Sequence, residues 1–129
     1  MSRTAYVLLF LRALWQLHRY DLVNATFGFQ RIHRQVARCR VASRPRQPGL
    51  EAMVCEAVSL AACFYWKPAF CLQRSVVTTL LLRKNGIHAR LVIGYRPEPF
   101  FSHAWVEVDG CAVNERSNVQ ARYSVWERC

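Results

Sequence analysis

An α+β fold, with helices first and a small antiparallel sheet after them, is what this sequence predicts. Three observations carry that prediction. Apolar residues recur at helical spacing up to Lys84-Asn85-Gly86, the period then changes to two, and Asp109-Gly110 marks a tight hairpin between two such runs. At 129 residues and 53% hydrophobic composition the chain is globular and sized for one domain around one core.

The elements follow in order. Leu8, Leu11, Trp15 and His18 recur at helical spacing, and Phe29, Ile32, His33 and Val36 do so again after a break near Asp21 to Asn24, giving two N-terminal helices. The stretch Ala5 to Leu17 is too short to span a bilayer, contains Arg12 and lacks a cleavage site, so it reads as a buried or surface-docked helix. Ser43 to Gly49, with two prolines and a glycine, is a linker between a basic helical part, residues 1–46, and a core over residues 50–129. From Leu50 to Phe64 the apolar positions nearly encircle a helix, which predicts a central packing helix. After Pro68 a further helix starts at Cys71 and ends in a basic turn and Gly86. Ile87 to Tyr95 and Ser102 to Val108 alternate as half-buried strands, and Cys111 to Glu115 is the third strand of a meander.

Charge is unevenly spread within the formal +10. Residues 1–46 hold nine arginines against Asp21, whereas the remainder is nearly balanced. Such a surface attracts a polyanion or an acidic protein partner. Six cysteines with no C-x-x-C pair and no preceding signal segment point to a reducing, cytoplasmic setting. Cys55, Cys63 and Cys71 are spaced by eight, which is not the close pairing of a structural zinc site, and no metal or cofactor is expected. His18, His33 and His88 read as surface or capping histidines.

Cys71 is the residue with chemical promise. A helix N-terminus lowers a thiol pKa, and its free N–H groups can receive an oxyanion. His103, opening the run H-A-W-V-E-V, is the candidate base. These residues carry a resemblance: C-L-Q-R-S, N-G-I-H-A-R-L-V-I-G-Y, P-F-F-S-H-A-W-V-E-V-D-G and V-N-E, between Cys71 and Tyr123, resemble the transglutaminase-like leader peptidases of lasso-peptide biosynthesis. The resemblance implies a transglutaminase-like, papain-like core, with Cys71 as nucleophile, His103 as general base and Glu115 as third residue. Arg74 and Ser75, after the nucleophile, and Trp105 are secondary substrate-binding candidates. It also implies a lasso precursor as substrate through its leader region, an ATP-dependent lasso cyclase acting next, and no nucleic acid. The segment before Leu50 is too short for a leader-recognition domain, which is then a separate protein.

A strict two-residue turn at Asp109-Gly110 puts Ala104 opposite Glu115 and Asn114 opposite Trp105, so Asn114 shares the His103 face and rivals Glu115; a bulge or strand end near Asn114 restores Glu115. Two other readings stay open. One is a non-catalytic basic module for a protein partner or nucleic acid, while a peripheral association through the N-terminal helix belongs with the peptidase reading. The other passes the acyl group to an amine rather than to water.

Overall fold

The computed structural model describes residues 3–97, 100–114 and 119–129. In chain order the elements are α1 (Arg3–Phe27), α2 (Phe29–Arg38), α3 (Leu50–Phe64), α4 (Cys71–Lys84), β1 (Ala89–Pro97), β2 (Phe100–Val108), β3 (Cys111–Ala112), α5 (Val119–Arg122) and β4 (Ser124–Arg128). The sheet order is β3-β2-β1-β4, with every pairing antiparallel. The α+β class is as expected, and α4 lies against one face of the sheet.

The helical region departs from expectation in two places. No break occurs near Asp21: α1 runs to Phe27, and the chain turns only at Gly28. The buried stripe of α1 is Leu9, Ala13, Gln16 and Leu17, whereas Leu8, Leu11 and Trp15 are exposed. Both sets have helical spacing, so periodicity alone could not choose between faces. The central helix is α4 rather than α3. From Val76 to Arg83 every α4 side chain is buried, while α3 leaves Leu60 and Phe64 exposed. With α1 and α3 packing against it and β1 and β2 beneath, α4 is enclosed by helices and sheet.

One buried guanidinium locks the far end of α4. Arg83 donates from Nε to Ala89 O at 2.9 Å, from Nη1 to Val36 O and to Cys39 O at 3.3 Å, and from Nη2 to Cys129 O at 2.9 Å. It thereby satisfies carbonyls at the end of α2, in β1 and after β4, and burying a cation is tolerable only with such a full set of partners. The helix stops at Gly86, whose φ of 84° suits glycine and whose Cα lies so close to the linker that a Cβ would meet Arg44 O at 2.8 Å.

In the sheet, Asp109 and Gly110 have φ of 53° and 79°, the turn that the sequence called for, and Val108 pairs with Cys111. Two expectations need correcting. The third strand ends at Ala112 instead of Glu115, and residues 113–114 form a bend still tied to β2, with Val113 N–H donating to Val106 O at 3.0 Å. A fourth strand, β4, pairs with the other edge of β1, so β1 is covered on both faces: Leu91 lies on the helix side, and Val92 lies under Trp105 and Tyr123. The meander reading saw only the first of those faces.

Candidate active site

Cys71 is the first residue of α4, preceded by an extended Phe70 that supplies no side-chain cap. The N-cap residue therefore leaves the first-turn N–H groups uncapped. Around this turn Asp21 acts as a hub. It accepts hydrogen bonds from Tyr65, from Gln73 at 3.1 Å and from Lys67 at 2.8 Å. Gln73 also donates to Leu17 O at 2.9 Å. Burial raises the Asp21 pKa, but the hydrogen bonds from Lys67, Tyr65 and Gln73 together outweigh it and hold the carboxyl below its ordinary value. The neighbouring Tyr20 phenol is pushed up to about 12 by burial, then by the charges of Asp21 and a Cys71 thiolate.

The next turn of α4 fixes its relation to the sheet. Ser75 Oγ donates to Ala104 O at 3.2 Å, and the helix then follows β2 in the same sense, since Arg83 reaches Ala89, the partner of Val108. Cys71 lies one turn, about 5.4 Å, before Ser75, and β2 rises about 3.3 Å per residue, so Cys71 is level with Ser102 and His103. Because β3 ends at Ala112, no strand among the described residues pairs with the outer edge of β2 beside Ala104. Ser75 and Asn114 serve that edge instead: Asn114 Oδ1 accepts from Val106 N–H at 2.9 Å, and its Nδ2 donates to Ser75 Oγ at 3.2 Å. The start of α4 thus lies near the edge of β2.

His103 projects from that face. It sits opposite Gly94, and its ring lies 5.4 Å from the Tyr123 ring and 6.2 Å from the Trp105 ring, centroid to centroid. Gly94 makes room for this cluster: a Cβ there would come within 2.6 Å of Trp105. Two residues further along the face, Glu107 accepts from Trp105 Nε1 at 3.0 Å, from Gln120 at 2.6 Å and from Arg128 at 3.1 Å. Burial raises its pKa, but these hydrogen bonds prevail and lower it.

The expected site residues therefore fall as follows. Cys71 and His103 come to one end of the helix and sheet layers. Glu115 lies outside the described residues. Asn114 turns its amide to Val106 and Ser75, toward α4. Arg74 donates to Ser59 of α3 at 3.0 Å. Ser75 and Trp105 are each 0% exposed, which corrects their reading as substrate contacts: no surface remains for a substrate to touch, and they position neighbours instead. Sequence reasoning missed Asp21, Tyr123 and Glu107. For Glu107 a signal existed, because His103, Trp105 and Glu107 occupy alternate positions and so share one face.

A cysteine opens a helix that packs against an antiparallel sheet carrying a histidine. The chain belongs to the transglutaminase-like superfamily, whose family model matches residues 14–128. It is also similar to the microcin J25-processing protein McjB of Escherichia coli, with 44% identity over 55 residues, covering 43% of this chain and 26% of that protein. The match therefore spans about a quarter of that relative's length. No solved structure matches. Among the described residues no helix is long and apolar enough to cross a membrane.

Proposed function

We propose that the protein is a cysteine peptidase that removes the leader from a lasso-peptide precursor. The observation that carries this reading is the position of Cys71: it opens a helix whose N-cap residue supplies no side-chain cap, and that helix is hydrogen-bonded through Ser75 to β2, the strand that carries His103. Similarity to a protein named for processing microcin J25 supports a peptide precursor as substrate. Exposed aromatic residues on both sides of the site, Trp66 and Phe70 before Cys71 and Phe100 and Phe101 before His103, suit an extended peptide.

In the proposed reaction the Cys71 thiolate attacks the carbonyl at the junction of leader and core, and the first-turn N–H groups of α4 receive the oxyanion. His103 passes the thiol proton to the leaving amine. The freed core departs, the leader remains as a thioester on Cys71, and water activated by His103 hydrolyses it. Glu115 is the favoured third residue, orienting the imidazole, because the Asn114 amide is engaged elsewhere. A separate leader-recognition protein and an ATP-dependent cyclase are the proposed partners, in the cytoplasm.

A second reading, a basic binding module, draws on the groove between α1 and α2. This space of about 700 Å³ is lined by Arg19, Arg31, Arg34, Arg38 and Lys84 with no carboxylate. Alkylation by iodoacetamide between pH 5 and 9, mapped by mass spectrometry, separates the two. Selective labelling of Cys71 at low pH that weakens in His103→Ala is expected of the peptidase. Uniform, slow labelling of all accessible cysteines together with salt-sensitive polyanion binding is the outcome for the module.

A further inference from the structure

A second cysteine and histidine meet on the far side of the molecule, where α2 passes β4. His33 on α2 places its Nε2 3.0 Å from Cys129 Sγ, and the same Nε2 is hydrogen-bonded to Glu127. The three ligand atoms all lie within 4.8 Å of one another. From the sequence His33 reads as a surface histidine; the fold gives it companions 94 and 96 positions away.

The arrangement is not a catalytic relay. A relay uses both imidazole nitrogens, one toward the thiol and the other toward the carboxylate. Here thiol and carboxylate converge on one nitrogen, so three donors that prefer to face a cation face each other. We infer that His33, Glu127 and Cys129 form a binding site for a zinc-class divalent cation, with a fourth position open to water.

Donor chemistry selects the ion. Thiolate, imidazole and carboxylate together suit Zn²⁺, whereas Mg²⁺ and Ca²⁺ want oxygen alone. Tetrahedral zinc with bonds of about 2.0 to 2.3 Å separates its ligand atoms by about 3.5 Å, so small side-chain movements suffice. Binding replaces the contact between His33 and Glu127, leaves the proton of the neutral His33 ring on Nδ1 so that Nε2 is free to ligate, and releases the Cys129 thiol proton to solvent; the two anionic ligands then balance the ion.

The scaffold is already rigid. Cys129 exchanges backbone hydrogen bonds with Leu91 at 2.8 and 3.0 Å, and its carbonyl accepts from Arg83. On α2, Ile32 and Val36 are buried against Leu80 and Leu91, which fixes the helix that carries His33. The Arg83 guanidinium opposes a cation nearby, but its donors are spent on the carbonyls of Val36, Cys39, Ala89 and Cys129. A bound ion here would staple the basic helix to the edge strand of the sheet. The site is independent of the role proposed for Cys71.

The test is titration of the tag-free, metal-stripped chain with Co²⁺, followed by Zn²⁺. One equivalent of Co²⁺ is expected to give a near-ultraviolet thiolate-to-cobalt band that Zn²⁺ abolishes. The band should disappear in Cys129→Ser and in His33→Gln, and persist in Cys71→Ser and Cys63→Ser. Zn²⁺ should also raise the melting temperature of the wild type and not that of His33→Gln, with circular dichroism confirming that both are folded. Absence of the band in the wild type, or its survival in Cys129→Ser, overturns the assignment, and persistence in Cys71→Ser keeps the result separate from the peptidase reading.

Discussion

The two cysteine and histidine neighbourhoods of this molecule use the same side chains in opposite ways. Cys71 opens α4 with uncapped backbone donors around it and an open strand edge beside it. Cys129 is held in register with β1, its thiol against the His33 ring. Burial, then the charge of Glu127, pushes the Cys129 thiol up against the opposing pull of Arg83, so without an ion it is a protonated, slow nucleophile. What separates them is the surroundings: an uncapped helix start at one, and a carboxylate beside a hydrogen-bonded strand end at the other.

The contrast breaks most sharply on activity. Cys71→Ala is expected to lower cleavage of a lasso precursor by at least about a thousandfold, the scale at which loss of a nucleophile acts, with the fold intact. Cys129→Ser, at the other neighbourhood, should leave the rate within a few-fold. Chromatographic separation of leader and core after incubation reads both, and comparable losses would erase the distinction between the two thiols.

A smaller effect tests the support of His103. Gly94→Ala puts a methyl 2.6 Å from Trp105 Cη2 and 3.0 Å from Tyr123 Cβ, so the aromatic cluster must shift. Overpacking of this kind costs about 1 to 3 kcal/mol, visible as a lower denaturation midpoint. The His33 cluster is built from other residues, and its Co²⁺ band should survive. Asn114→Ala tests the strand edge beside Cys71. It strands the Val106 N–H and removes a partner of Ser75, for about 1 to 2 kcal/mol in the same measurement.

These particulars also mark what the sequence could disclose. The hairpin at Asp109-Gly110, the helix from Cys71 and the alternation of β2 are local, each written in a few neighbouring residues, and each was legible. The buried face of α1 was not, because Leu8, Leu11 and Trp15 repeat at the same spacing as Leu9, Ala13 and Leu17, and only packing against α3 and α4 chooses between them. β4 escaped notice because its residues are exposed and its pairing partner is the distant β1. For the site, Cys71 and His103 were nameable from helix start and strand alternation. The hub at Asp21 was not, since its partners come from separate elements; alternation placed Glu107 on the His103 face but could not supply its partners Gln120 and Arg128. His33, Glu127 and Cys129 converge only after the whole sheet is assembled.

The smallest expected effect concerns acid, and it compares the helix side of the Cys71 region with the sheet side of His103. Asp21 ties α1 to Tyr65 and Lys67, just before Cys71, and Glu107 ties Trp105 to Gln120 and Arg128. At both, burial alone would raise the pKa, and the hydrogen bonds overcome it, so each folded carboxyl titrates below its ordinary value. The unfolded chain then binds more protons than the folded one in that interval. The stability each contributes is present above the ordinary carboxylate range, near pH 4, and is lost as pH falls through the lower folded values. Asp21→Asn and Glu107→Gln should each flatten the fall of stability below about pH 5, by a fraction of the 1.36 kcal/mol per pH unit that one full proton gives. Urea midpoints from pH 7 to pH 3 read this directly. If only Glu107→Gln flattens the curve, the Asp21 hub is not a charged clasp, and the helix side of the Cys71 region is held by packing alone.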